Sequence, residues 1–146
     1  GKKSVDSIHK ELGHVMWEYV GMGRTAEGLK EGLKKMKEIR KEFETNLFIP
    51  GDKEGMNVEL DKAIRLYDFI TMGELVAYDA LNRDESCGGH FREEYQTEEG
   101  EAKRDDENFF YVACWEYQGS DDKAPVLYKE PLVYEAIKVQ TRNYKS

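Results

Sequence analysis

Cysteine is scarce: the 146 residues hold two, Cys87 and Cys114. Two thiols give no disulfide framework, so a reducing compartment is the expected setting. No apolar run approaches the roughly 18 residues of a spanning helix, which predicts no direct membrane insertion. No secretory leader is visible, and the chain opens on Gly1 without a Met, as a tag remnant or a cut domain would. There is no excess of basic charge. The net charge is -8 and the pI about 5.0, a field that repels duplex nucleic acid. Phosphate-cradling signals are missing too: there is no G-x-G-x-x-G after a strand and no G-x-x-x-x-G-K-[ST].

What is present fits one domain, long enough to bury a core without disulfides or metal. Hydrophobic residues are 39%, charged residues 36%, and the mean hydropathy is -0.79. That is polar for a compact globule, yet 12% aromatic is too rich for a disordered chain. A small helical core with polar segments that need a partner reconciles the two. Charge is uneven. Arg24 to Lys41 holds seven bases against three acids, and Asp84 to Glu107 ten acids against three bases. Each reads as a solvated face or as one of two complementary docking surfaces.

The first half reads as three helices. Asp6 or Ser7 is placed to cap the first, whose apolar positions Ile8, Leu12, Val15, Met16 and Tyr19 share one face. Gly21 and Gly23 break the run. Thr25 caps the second, with the stripe Leu29, Leu33, Met36, Phe43 and Leu47, and Ile39 beside it. Gly28 and Gly32, four apart, remove bulk from one face and predict a close helix approach. This helix ends near Asn46, and Ile49 to Asp52 forms a turn. The third begins near Asn57 or Val58 and runs to about Asn82. Leu60, Ile64, Tyr67, Ile70 and Ala77 lie near one face, flanked by Ala63, Leu66 and Leu81. Gly73 sits inside, at a bend or a tight contact. Short connections make this an antiparallel up-down-up bundle.

The fold class is therefore mainly α: a spectrin-repeat-like three-helix bundle over residues 1–83, then an extended tail over 84–146. Residues 84 to 107 read as a loop. Phe109 to Tyr117 is aromatic and β-branched, as a strand requires. Ala124 to Lys129 is its candidate hairpin partner, and Leu132 to Tyr144 looks extended. One or two strands cannot bury the tail aromatics alone. The tail packs on the bundle or on another surface.

Chemistry finds little footing. His9 and His14 are five apart and fall on different helix faces. Cys87-x-x-His90 has ligand-like spacing but no second pair, and as a thiol–imidazole pair it rests on local spacing alone. Nothing fixes the geometry of the loop carboxylates for acid–base work. No catalytic, cofactor-binding or metal residue is assigned. What remains is the segment Arg83 to Tyr95. Two glycines turn the backbone sharply among Arg83, Glu85, His90 and Arg92. Such charge density beside a tight turn suits hydrogen-bonded pairing across an interface, so these four are the candidate docking residues.

Glu85-Ser86-Cys87-Gly88-Gly89-His90-Phe91-Arg92 resembles the E-S-R-G-[AG]-H-x-R segment of succinate dehydrogenase and fumarate reductase flavoprotein subunits. Met16-Trp17 to Gly21, then Arg24-Thr25 and Leu29 to Leu33, resemble that family's first and second helices. Arg104 to Phe109 resembles its R-D-D-x-N-[FW]. The likeness runs in order over nearly the whole chain. It implies the C-terminal domain of an FAD-containing subunit, not itself catalytic, in a parent oxidoreductase acting on CH-CH donors. That parent interconverts succinate and fumarate with quinone, as an electron-transport and tricarboxylic acid cycle enzyme. The implied partners are the upstream FAD-binding and capping domains and an iron–sulfur subunit. The implied setting is cytoplasmic, peripheral on the inner membrane through partner subunits. The family's flavin-attachment, substrate-binding and catalytic residues lie upstream, so none is carried over. Cys87 departs from the family Arg, exchanging five donors and a permanent charge for a thiol. L-Aspartate oxidases share a similar bundle and segment, and match less well from Arg104 onward. An independent helical interaction module is the remaining alternative.

Overall fold

The computed structural model describes residues 1–141. Its elements run α1 (Val5–Tyr19), α2 (Ala26–Asn46), α3 (Val58–Asn82), a single-turn α4 (Asp106–Phe109), β1 (Tyr111–Glu116) and β2 (Val126–Pro131). The expected extension to Tyr144 ends outside the described residues.

Each long helix packs on the other two. Main-chain bonds from Lys2 and Lys3 to the Asn46 carbonyl place the start of α1 beside the end of α2. Lys62 reaches Asp6, so α3 starts where α1 starts. The bundle is therefore up-down-up. Ile8, Leu29, Met36, Leu66 and Ile70 are fully buried at its centre.

Thr25 caps α2 as expected, Asn57 caps α3, and the α1 cap differs from the expected Asp6 or Ser7. Thr25 accepts from the Gly28 amide and Asn57 from the Leu60 amide, satisfying first-turn donors. The α1 cap is Ser4, whose hydroxyl accepts from Ser7 at 3.2 Å. Asp6 and Ser7 lie inside the first turn, where Asp6 suits the positive end of the helix dipole.

The larger correction is the face of α3. Leu60, Ile64 and Tyr67 are 46%, 59% and 40% exposed. The buried set is Ala63, Leu66, Ile70, Gly73, Ala77 and Ala80. These alternate in steps of three and four, the period of a helix seam. Four of the six are Ala or Gly, so they carry little hydropathy. Large side chains dominate a sequence pattern, but small ones let two neighbouring helices come close.

The glycines confirm that closeness. A Cβ on Gly32 would stand 2.9 Å from the Tyr19 Cβ. One on Gly73 would meet the sulfurs of Met16 and Met36 at 3.2 and 3.3 Å. Gly32→Ala gains about 1 kcal/mol of helix propensity, against an overpacking cost of ~1–3 kcal/mol. The Tyr19 Cβ is fixed to its backbone and cannot swing aside. We expect a net loss of about 1 kcal/mol, read from the urea midpoint.

The tail forms a two-stranded antiparallel sheet, registered from Tyr111↔Pro131 to Glu116↔Val126. Phe109, expected in the strand, closes the short α4 turn. The hairpin is fastened to the bundle by side chains. The Trp115 indole donates to Asp79 at 2.8 Å and meets the Tyr78 ring edge-on at 5.1 Å. Arg40, counted among the bases of a solvated face, is instead buried, 7% exposed. Its guanidinium bonds Glu74 twice and Thr71 once, and lies 3.3 Å from Asp121 in the hairpin loop.

Candidate functional site

The loop after α3 is held at both ends by one carboxylate. Glu85 accepts from Arg83 Nη1 at 3.0 Å and from the Asp105 amide at 2.9 Å. Arg83 also donates to the carbonyls of Phe109 and Tyr111, and its guanidinium lies over the Tyr111 ring, 4.8 Å from the centroid. The end of α3 and the start of β1 are thus drawn together. Glu85 is 4% exposed, a burial that an ion pair with a further hydrogen bond makes tolerable.

Ser86 and Arg92 form a second tie. The Ser86 hydroxyl accepts from the Arg92 amide at 2.8 Å and donates to its carbonyl at 3.1 Å. Arg92 Nη1 reaches back to the carbonyls of Ala80 and Leu81 at 3.0 and 3.2 Å. Those groups belong to the last turn of α3, where carbonyls lack helical partners. Arg92 therefore caps that helix with a side chain from ten residues beyond its end.

His90 closes the turn. Cys87 and His90 exchange main-chain bonds of 2.8 and 3.0 Å. Gly88 between them adopts φ +58°, the left-handed region that favours glycine. The ring Nε2 lies 2.9 Å from the Arg83 carbonyl and Nδ1 lies 3.0 Å from Arg24 Nη1. A carbonyl only accepts and a guanidinium only donates. The ring is therefore neutral, with its proton on Nε2. Burial, with the charges of Arg24, Arg92 and Arg83 around it, holds its pKa below the ordinary value.

A second proton, on Nδ1, binds the unfolded chain below about pH 6.5, and the folded chain only at lower pH. The stability that His90 supports is therefore complete above the unfolded value. It is lost as pH falls toward the folded one. The urea midpoint should decline on this acid side of neutrality, and His90→Gln should flatten that part of the profile.

All four expected docking residues come together here, with the polar groups described above engaged inside the chain. Three further partners were not among the four candidate docking residues. Arg24 exchanges main-chain bonds with Phe91 and Glu93, and Glu94 accepts from the first amide of α2. Ser86 is fully buried, and its double role has no local sequence signal. Cys87 is exposed on the turn. Among the described residues, no group of three His, Cys, Asp or Glu side chains is placed to hold a metal ion. No helix among the described residues is long and apolar enough to cross a membrane.

Beside this junction, between α3 and the hairpin, opens a cleft of about 650 Å³. Its walls include Met72, Val76, Val112, Tyr134 and Val139, and Arg24 and His90 line its polar end. Among the described residues no dinucleotide cradle for a flavin is formed. The sheet is two antiparallel strands without the crossover that sets a dinucleotide against a helix N-terminus.

Comparison with known proteins agrees with this architecture. The chain is 33% identical over 109 residues to a fumarate reductase flavoprotein subunit of Serratia, an alignment covering 75% of this chain and 17% of that protein. It is 36% identical over 89 residues to a chloroplastic L-aspartate oxidase of Nicotiana tabacum, covering 60% and 13%. A solved quinol-fumarate reductase with menaquinol molecules superposes at a TM-score of 0.77 with 27% identity, covering 94% of this chain and 23% of that one. The chain thus spans less than a fifth of these curated relatives, 13% and 17% of their lengths. The family described as the fumarate reductase flavoprotein C-terminus matches residues 9–144. With α2, α3, the junction and all but the first turn of α1 inside that match, the chain belongs to the fumarate reductase flavoprotein C-terminal family.

Proposed function

We propose that this chain is the C-terminal helical domain of the FAD-containing subunit of a succinate dehydrogenase or fumarate reductase. Its role is docking, and the chemistry belongs to the rest of the subunit. The observation that carries the reading is the family match across residues 9–144, with no dinucleotide fold among the described residues. In this reading the parent interconverts succinate and fumarate, coupled to quinone. The domain packs on the upstream FAD-binding and capping domains and beside an iron–sulfur subunit. The assembly sits on the cytoplasmic face of the membrane through partner subunits.

Arg83, Glu85, His90 and Arg92 act here as positioning residues. They hold the loop against the end of α3, so that its outer surface and the neighbouring cleft keep a fixed shape for the partner. Rigid presentation lowers the ordering cost of binding.

The test is reconstitution. The 146-residue chain alone should neither bind flavin nor turn over succinate. Adding it to the rest of the subunit, expressed without it, should restore activity. Full activity of that shortened subunit would overturn the docking role. The relatedness to L-aspartate oxidase supports a second reading, the equivalent domain of that flavoenzyme. Turnover of L-aspartate instead of succinate by the reconstituted subunit would select it.

A further inference from the structure

The face of α3 that looks into the cleft is apolar and uncovered. Met72 and Val76, four apart on one helix face, are 59% and 37% exposed. Val112, Tyr134 and Val139 line the same cleft and are 50%, 48% and 43% exposed. A contiguous apolar wall of this kind is uncommon on a self-sufficient chain.

The polar end of the cleft adds a charge requirement. Arg24 donates through Nε to the carbonyls of Val20 and Gly21, and through Nη1 to His90. Among the described residues no carboxylate forms a contact ion pair with it. Asp79 acts on it at longer range, while accepting from Trp115. Arg83 and Arg104, on the same wall, are paired with Glu85 and Asp106. Among the described residues Arg24 is thus a half-buried guanidinium without a contact counter-ion.

We infer that this cleft seats an apolar segment, bearing a carboxylate opposite Arg24, from the remainder of the flavoprotein polypeptide. The inference rests on the docking function proposed above and names its seat. The relatives supply chain enough for such an occupant, since this chain covers only 17% of the Serratia subunit and 23% of the solved reductase chain. The opposite candidate face argues for itself less well. The α2 lysines Lys30, Lys34, Lys37 and Lys41 border a groove whose apolar member is the half-buried Leu33. A lysine row of that kind is at ease in water.

Binding of the 146-residue chain to the rest of the subunit, expressed separately, is measured by titration calorimetry. Met72→Glu and Val76→Glu alter exposed positions, so the fold should survive, as helix content by circular dichroism will verify. Each should weaken binding at least about tenfold, the order of losing a buried apolar anchor. Arg24→Gln should weaken binding, and Arg24→Lys should recover much of it. Lys34→Glu and Lys37→Glu should stay within about twofold, as expected of residues outside the seat. Binding that ignores Met72→Glu and Val76→Glu would overturn the cleft as the seat and leave docking intact. No binding by the unsubstituted chain would overturn docking, and the seat with it. Self-association of the chain that Met72→Glu abolishes would give the cleft to a second copy and likewise overturn the proposal.

Discussion

Arg92→Ala should destabilise the chain by about 3 kcal/mol, the order of leaving two main-chain carbonyls at a helix end without a donor. The side chain is 3% exposed and pairs with Glu94 and, at 3.5 Å, with Asp84. Those carboxylates are 39% and 56% exposed, so water takes them back at small cost. The loss comes mainly from the α3 carbonyls of Ala80 and Leu81, left buried without a donor. Arg92→Lys keeps the charge but not the planar fork that serves Nε and Nη1 partners together. It should recover about half of the loss. Urea unfolding gives the magnitude. Amide exchange gives the location: protection should fall first at the end of α3 and at His90, and last in α1. Uniform loss of protection across the bundle would show that Arg92 supports the core and not the junction.

Arg40→Ala is the second large effect, again about 3 kcal/mol. Here the partner is itself shielded: the Glu74 side chain is 19% exposed, so removal of the guanidinium strands a carboxylate. Arg40→Met should cost less, because the methionine stem refills the space beside Tyr67, over whose ring the guanidinium lies at 5.3 Å. Arg40→Met combined with Glu74→Leu should approach the parent stability, since an apolar pair often replaces a buried ion pair without loss. Asp121 decides little by comparison. Arg40 Nη1 forms no hydrogen bond despite lying 3.3 Å from Asp121 Oδ2, so the geometry of that contact is poor. Asp121→Asn should cost less than about 1 kcal/mol. If it instead releases the hairpin, as amide exchange over β1 and β2 would show, the Arg40–Asp121 contact matters more than its geometry implies.

The two arginines show where sequence reading succeeds and fails. Arg92 stood out because Gly88 and Gly89 mark a turn and charges crowd around it. What it binds did not stand out, because its partners Ala80 and Leu81 offer main-chain atoms, which no side-chain pattern records. Arg40 did not stand out at all. It sits in a run of lysines on α2, and its partners come from α3, 31 and 34 residues on, and from the hairpin loop 81 residues downstream. The rotated face of α3 has the same origin. Ile64 and Leu60 look like core by hydropathy. Ala63 and Ala77 are core despite their small size, and at Gly73 the sulfurs of Met16 on α1 and Met36 on α2 leave no room for a side chain.

By itself the sequence determined the elements. Three helices, the Thr25 cap of the second, the breaks at Gly21 and Pro50, and the aromatic strand depend on neighbours a few residues apart. Such local spacing is legible from one chain. The ordered motifs from Trp17 to Phe109 also determined the family. Tertiary structure alone decided which α3 face is buried, which cation lies inside, and how Glu85, Ser86 and Arg92 tie a loop to a helix end. It also decided that Met72, Val76 and Arg24 share one cleft. Those outcomes depend on contacts between residues far apart in sequence, and on main-chain groups common to every residue, so local patterning carries no trace of them.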